Sequence, residues 1–101
     1  MPLAKVTLRP DPLAPLASFD CAKAGNPSEK VICADWQLGR LDRQLAARYR
    51  YAMRMSNPAE KDALKKAQRD WLKARNACAA DTACIAARIN ARLQALDTAP
   101  L

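Results

Sequence analysis

The sequence predicts an all-α domain: a small antiparallel helical bundle or hairpin of three to four helices, stapled by two disulfides. Three observations carry this. The apolar content is mostly alanine and leucine, which favour helix, while aromatic residues make up 5% and the only glycines are Gly25 and Gly39. Runs rich in Val, Ile, Thr and Tyr are missing, so a β-sandwich or barrel is hard to build. Apolar residues instead recur at spacings of three and four in three segments, and four cysteines fall at the segment ends.

Residues 1–18 read as an extended or disordered leader, because Pro2, Pro10, Pro12 and Pro15 remove backbone donors and oppose helix. Lys5, Arg9 and these prolines leave no continuous apolar run, so the segment does not resemble a signal peptide. No stretch approaches the roughly 20 apolar residues of a membrane-spanning helix. The packed domain is expected over 19–97, with 98–101 a frayed tail.

A short helix is expected over Glu29–Ala34 with Ser28 as its cap. A second helix follows at about 36–55, with Asp35 as N-cap and Leu38, Leu41, Leu45, Tyr49 and Ala52 on one face. Gly39 weakens its start but lets a neighbouring backbone come close. Asn57-Pro58-Ala59-Glu60 is a strong helix start, with Asn57 at the N-cap, Pro58 at N1 and Glu60 closing a capping box. That third helix runs to about Cys78 with Leu64, Ala67, Trp71, Ala74 and Cys78 as its stripe. After a connection at 79–82, Asp81 or Thr82 caps a fourth helix to about Leu96, with Ile85, Ile89, Leu93 and Leu96 inward. Short connections favour antiparallel neighbours.

Four cysteines allow three pairings. Local pairing, Cys21–Cys33 and Cys78–Cys84, needs the least rearrangement because each pair brackets a chain reversal. Two alternatives stand beside it. A four-cysteine zinc site lacks the usual paired knuckles, and the chain has no histidine; reduced thiols suit a cytosolic protein. No metal and no cofactor is expected.

The 17 Lys and Arg against 10 Asp and Glu give a net charge of +7. The whole excess lies between Arg40 and Arg75, on the second and third helices. Arg43, Arg50 and Arg54 share one side of the second; Lys61, Lys65, Lys66, Arg69 and Lys73 crowd the third. Such a basic patch attracts nucleic acid or anionic envelope polymer, or it is a solvated surface that keeps the chain soluble. No DNA-reading helix-turn-helix pattern or RNA-stacking aromatic pattern accompanies it.

Catalytic chemistry is sparse, and the chain is not expected to be an enzyme. The commonest general base, histidine, is absent. Ser18, Ser28 and Ser56 fall at caps and turns, and Glu29 and Glu60 at helix starts. Asp42 and Asp70 are the candidate acids by position, and a structural ion pair explains them more simply than a paired-carboxylate site. Arg75 is placed to be the partner of Asp42 across the bundle. Trp71 belongs to the core stripe; Trp36 opens the second helix, where it can pack over the first disulfide.

Taken in order, Ser18-Phe19-Asp20-Cys21-Ala22-Lys23-Ala24, Val31-Ile32-Cys33-Ala34-Asp35, Leu41-Asp42-Arg43-Gln44-Leu45 with Tyr49, Gln68-Arg69-Asp70-Trp71-Leu72 with Arg75 and Cys78, and finally Cys84 resemble the lysozyme-inhibitor LprI-type N-terminal domain. The likeness runs from Ser18 to about Leu96. It implies a disulfide-bonded helical domain of the bacterial envelope, periplasmic or secreted, that binds and inhibits lysozyme or another wall hydrolase. The motif positions Asp42, Arg43, Gln68, Arg69, Trp71 and Arg75 are then structural or binding residues. Two features depart from the pattern: the family's export signal is missing, and the positive charge suits a lysozyme of different charge, another wall hydrolase or an anionic surface better than the basic animal lysozymes. The number of subunits is not legible.

Overall fold

A computed structural model describes residues 15–98 and has the predicted all-α class. A 3-10 turn at Cys21–Lys23 leads to α1 (Pro27–Ala34), α2 (Trp36–Arg54), α3 (Pro58–Ala77) and α4 (Thr82–Thr98), with no strand among the described residues. Residues 1–14 of the expected leader and 99–101 of the expected tail lie outside the described residues.

The caps explain the boundaries. Asp35 accepts the N–H groups of Gln37 and Leu38 at 2.9 and 3.3 Å and starts α2. Asn57 and Glu60 form the expected reciprocal box at the start of α3, both bonds 2.8 Å. The Asp81 carboxylate accepts the Cys84 N–H at 3.1 Å and starts α4.

At α1 the sequence expectation is corrected: Asn26, not Ser28, is the cap. Asn26 accepts the Glu29 N–H at 2.9 Å, and the Glu29 carboxylate accepts the N–H groups of Gly25 and Asn26. The reason is Pro27, whose fixed φ and missing donor suit the first helical position and move the cap two residues earlier. Ser28 is thereby released for packing. It is fully buried, and its hydroxyl lies 3.1 Å from the Arg75 carbonyl and 2.5 Å from the Ala79 carbonyl, tying α1 to the end of α3.

The remaining helices run up, down and up. α3 is antiparallel to α4, as the pairs Trp71–Arg88 and Gln68–Arg92 require. α2 is parallel to α4: Leu38 and Leu41 near its start face Thr82 and Ala86, and Arg48 further along pairs with Asp97. α4 therefore lies between α2 and α3, and it supplies the centre of the core through Ile85, Ile89, Leu93 and Leu96. Leu38, Leu45 and Ala52 of α2 and Ile32 of α1 complete that core. Ile32, Leu45, Ile85 and Ile89 are essentially inaccessible, and burial of each such side chain stabilises by about 1.5–3 kcal/mol. The α3 stripe is thinner than expected. Leu64 and Trp71 are half-buried, and the deeply buried residue of its helical span is Arg75.

Both expected disulfides are formed, Cys21–Cys33 and Cys78–Cys84, with Cα–Cα separations of 5.9 and 5.6 Å. No cysteine is free, so the zinc and reduced-thiol alternatives fall. Ala79, just after α3, takes a left-handed φ of 52° in the turn that the second bridge closes.

Residues 16–18 cross the start of α2. Ala17 is buried against the core, and the Ser18 N–H donates to the Asp42 carboxylate at 2.6 Å. This crossing explains Gly39. A Cβ there would overlap the Leu16 carbonyl oxygen and lie 3.3 Å from the Ile32 carbonyl oxygen. In a free helix Gly39→Ala would gain about 1 kcal/mol of propensity. Here backbone blocks the added methyl, and overpacking of this kind costs about 1–3 kcal/mol. Gly39→Ala is therefore expected to lower the melting temperature by about 5 °C and to speed exchange of the Ser18 amide. A raised melting temperature would contradict the close approach.

Candidate functional site

The family-motif residues divide into two sets. Asp42, Gln68, Trp71 and Arg75 are occupied inside the molecule; Arg43 and Arg69 keep reach toward solvent.

At the disulfide end, Asp42 is 5% exposed and Arg75 4% exposed. Arg75 Nε and Nη2 donate to the Asn76 side-chain oxygen at 3.1 and 2.7 Å, and its guanidinium stands 5.8 Å over the Trp71 ring. Burial pushes the Arg75 guanidinium below the ordinary arginine range, while the carboxylates of Asp42 and Glu29 push the other way. The expected direct ion pair is corrected to this looser arrangement. Asp42 acts on Arg75 as a counter-charge without closing to 4 Å among the described residues, and it accepts the Ser18 N–H.

Along the α3–α4 seam, the Trp71 indole N–H donates to the Arg88 carbonyl at 2.8 Å. The Gln68 side-chain oxygen accepts from Arg92 Nε at 2.9 Å. Burial also lowers the Arg92 guanidinium, with Tyr49 opposing. Arg92 was invisible to sequence reasoning, since it sits among alanines on a helix read by its isoleucine and leucine stripe. Trp36 is half-buried, and its indole N–H has no hydrogen-bond partner among the described residues.

The basic residues lie on two helices. On α3, Lys65, Lys66, Arg69 and Lys73 are exposed, and Lys61 is half-exposed. Lys66 pairs with Asp70 at 3.0 Å; that hydrogen bond, with the Lys66 charge, holds the Asp70 carboxyl below its usual range. Both partners are solvated, so the pair contributes little to stability. On α2, Arg50 and Arg54 are exposed, and Arg54 stands 5.8 Å over the Tyr51 ring. Arg43 is half-buried and shares a groove with Arg50 and residues 15–18.

Two of the three serines are tied to backbone carbonyls. Ser28 is sealed between carbonyls, and Ser56 donates to the Ala52 carbonyl at 2.7 Å as a helix-end residue. Among the described residues no group of three His, Cys, Asp or Glu is placed to hold a metal ion, and no helix is long and apolar enough to cross a membrane.

Fold and side chains thus define a disulfide-stapled helical domain in which Asp42, Gln68, Trp71 and Arg75 bond internally and the basic residues of the α3 strip face outward. The family model described as "Lysozyme inhibitor LprI" matches residues 21–98, and the chain belongs to that family. It is 38% identical over 65 residues to the "Lipoprotein LprI" of Mycobacterium bovis and to that of Mycobacterium tuberculosis. The match covers 64% of this chain and 32% of each relative, so the chain spans about a third of their length. No solved structure gives a significant match.

Proposed function

We propose that the chain is an exported bacterial envelope domain that binds and inhibits a lysozyme or another peptidoglycan-cleaving enzyme. The observation that supports this most is its membership of the lysozyme-inhibitor family across nearly all of its folded part. Two disulfides fit an oxidising compartment, periplasmic or secreted, and the relatives' lipoprotein name agrees with export.

The contact surface we favour is the outer strip of α3. Asp42, Gln68, Trp71 and Arg75 are held by internal bonds, which supports reading them as scaffold. Lys65, Lys66, Arg69 and Lys73 point cations outward from one rigid helix. A glycosidase cleft presents a pair of carboxylates, and inserted cations complement such a cleft. The net charge of +7 disfavours approach to a basic hydrolase and speeds approach to an acidic one.

The test is a wall-lysis assay with lysozymes and other wall hydrolases of graded net charge, joined to calorimetry. At least one enzyme is expected to form a stoichiometric complex and lose activity, with neutralisation of the α3 strip weakening the complex about tenfold or more. Undiminished lysis across the panel at large excess of the domain would refute the proposal. The same cations support a second reading, binding of nucleic acid or anionic envelope polymer. That reading predicts affinity that falls steeply with salt, and a flat salt response removes it.

A further inference from the structure

The groove between α2 and the entering N-terminal segment has the composition of an oxyanion site. It is lined by Pro15, Ala17, Ser18, Arg43, Ala46 and Arg50, is open to solvent and has a volume of about 260 Å³. Arg43 and Arg50 stand seven residues apart, so two helical turns, or about 10 Å along the axis, separate their Cα atoms. That span lets two long side chains converge on one small ligand. Ala46, between them in the helix, is a small lining residue.

The charges in the groove are all of one sign. No carboxylate lines it, and neither arginine forms an ion pair among the described residues. Asp42, the acid nearest in sequence, is buried and committed to the Ser18 N–H. Arg43 Nε is buried without a hydrogen-bond partner among the described residues. The donors open to an oxyanion in the groove are the exposed Arg50 guanidinium and the solvent-facing part of the half-buried Arg43.

We infer that Arg43 and Arg50 form a binding site for a phosphate-type oxyanion, free or carried on a lipid headgroup. Guanidinium forks match the oxygens of such a group, and two of them balance its charge. The site is separate from the α3 strip and owes nothing to lysozyme binding.

The test titrates inorganic phosphate into the full chain at constant ionic strength and follows the amide resonances. Saturable shifts are expected at residues 15–18 and 43–50, with a dissociation constant on the order of 1 mM. R50Q, at an exposed position, weakens binding several-fold. R43Q/R50Q weakens it about tenfold or more, and R43K/R50K falls between, because lysine keeps the charge and loses the fork. K65Q/K66Q leaves it unchanged. Vesicles of phosphatidylcholine with and without phosphatidylglycerol then identify the source. Anionic-vesicle binding lost in R50Q and R43Q/R50Q assigns a headgroup; vesicle indifference beside intact phosphate binding assigns a soluble oxyanion. Non-saturating shifts spread over every basic residue, or an affinity unmoved by R50Q and R43Q/R50Q, would overturn the site.

Discussion

Reduction of both disulfides is expected to destabilise the domain by about 5 kcal/mol. The bridges span sequence separations of 12 and 6 residues, and chain entropy assigns about 3 and about 2 kcal/mol to loops of those lengths. A domain of this size has only about 5–15 kcal/mol in total. The melting temperature should therefore fall by about 20 °C or more, checked by circular dichroism with and without reductant, with alkylation and mass measurement proving complete reduction. An unchanged melting curve in fully reduced protein would mean that the helices carry the fold alone. The two bridges should also differ in what they release. Cys21→Ser/Cys33→Ser frees the 3-10 turn from α1 and loosens the entry segment. Cys78→Ser/Cys84→Ser opens the α3–α4 turn, where the Ser28 hydroxyl rests on the Ala79 carbonyl, and so also undocks α1. A loss of that size would fit the proposed export to an oxidising compartment.

The helices were legible because their signals are local. Asp35 and Asn57 each carry a short polar side chain just before an apolar period, and both cap as expected. The disulfides were legible for the same reason, each closing a reversal that the helix ends already required. The cap of α1 was misplaced although its signal was present: Asn26-Pro27-Ser28-Glu29 repeats the pattern of Asn57-Pro58-Ala59-Glu60, but Ser28 competes for the role. Its true task, bonding carbonyls 47 and 51 residues away, leaves no trace in local pattern. The same limit applies to Gly39. A small residue near a helix start announces some close approach, but not that the approaching atom belongs to Leu16. Among the motif residues, the polar types were visible and their partners were not. Gln68 finds Arg92 and Trp71 finds Arg88 only once α4 lies against α3. The division of the eight basic residues between the second and third helices was legible; that Arg43 and Arg50 line a groove depends on where Pro15, Ala17 and Ser18 pass.

Asp42→Ala is expected to be the most damaging single substitution on the surface of α2 that faces Arg75, costing about 3 kcal/mol. Two losses combine. The Ser18 N–H loses its acceptor at 2.6 Å, which releases Ala17 from the core and the Leu16 carbonyl from Gly39. Arg75 keeps its charge in a site that is 4% exposed, with Glu29 as the remaining counter-charge. Asp42→Asn retains an acceptor for Ser18 but not the charge, so it should cost about half as much. The discriminating measurement is a double-mutant cycle with Arg75→Met. An apolar side chain of similar reach removes the stranded cation, and replacement of both buried charges is often near neutral. The coupling between the two positions should therefore be about 1 kcal/mol or more by denaturant melts. Independent, additive losses would show that Asp42 acts only by pinning Ser18. Either way, under the proposed function, the fully folded fraction of these variants should still bind a hydrolase that the parent chain binds, because the α3 strip is untouched. A variant that folds at low temperature yet no longer binds would move Asp42 and Arg75 from scaffold to contact surface, and with them the place where the partner sits.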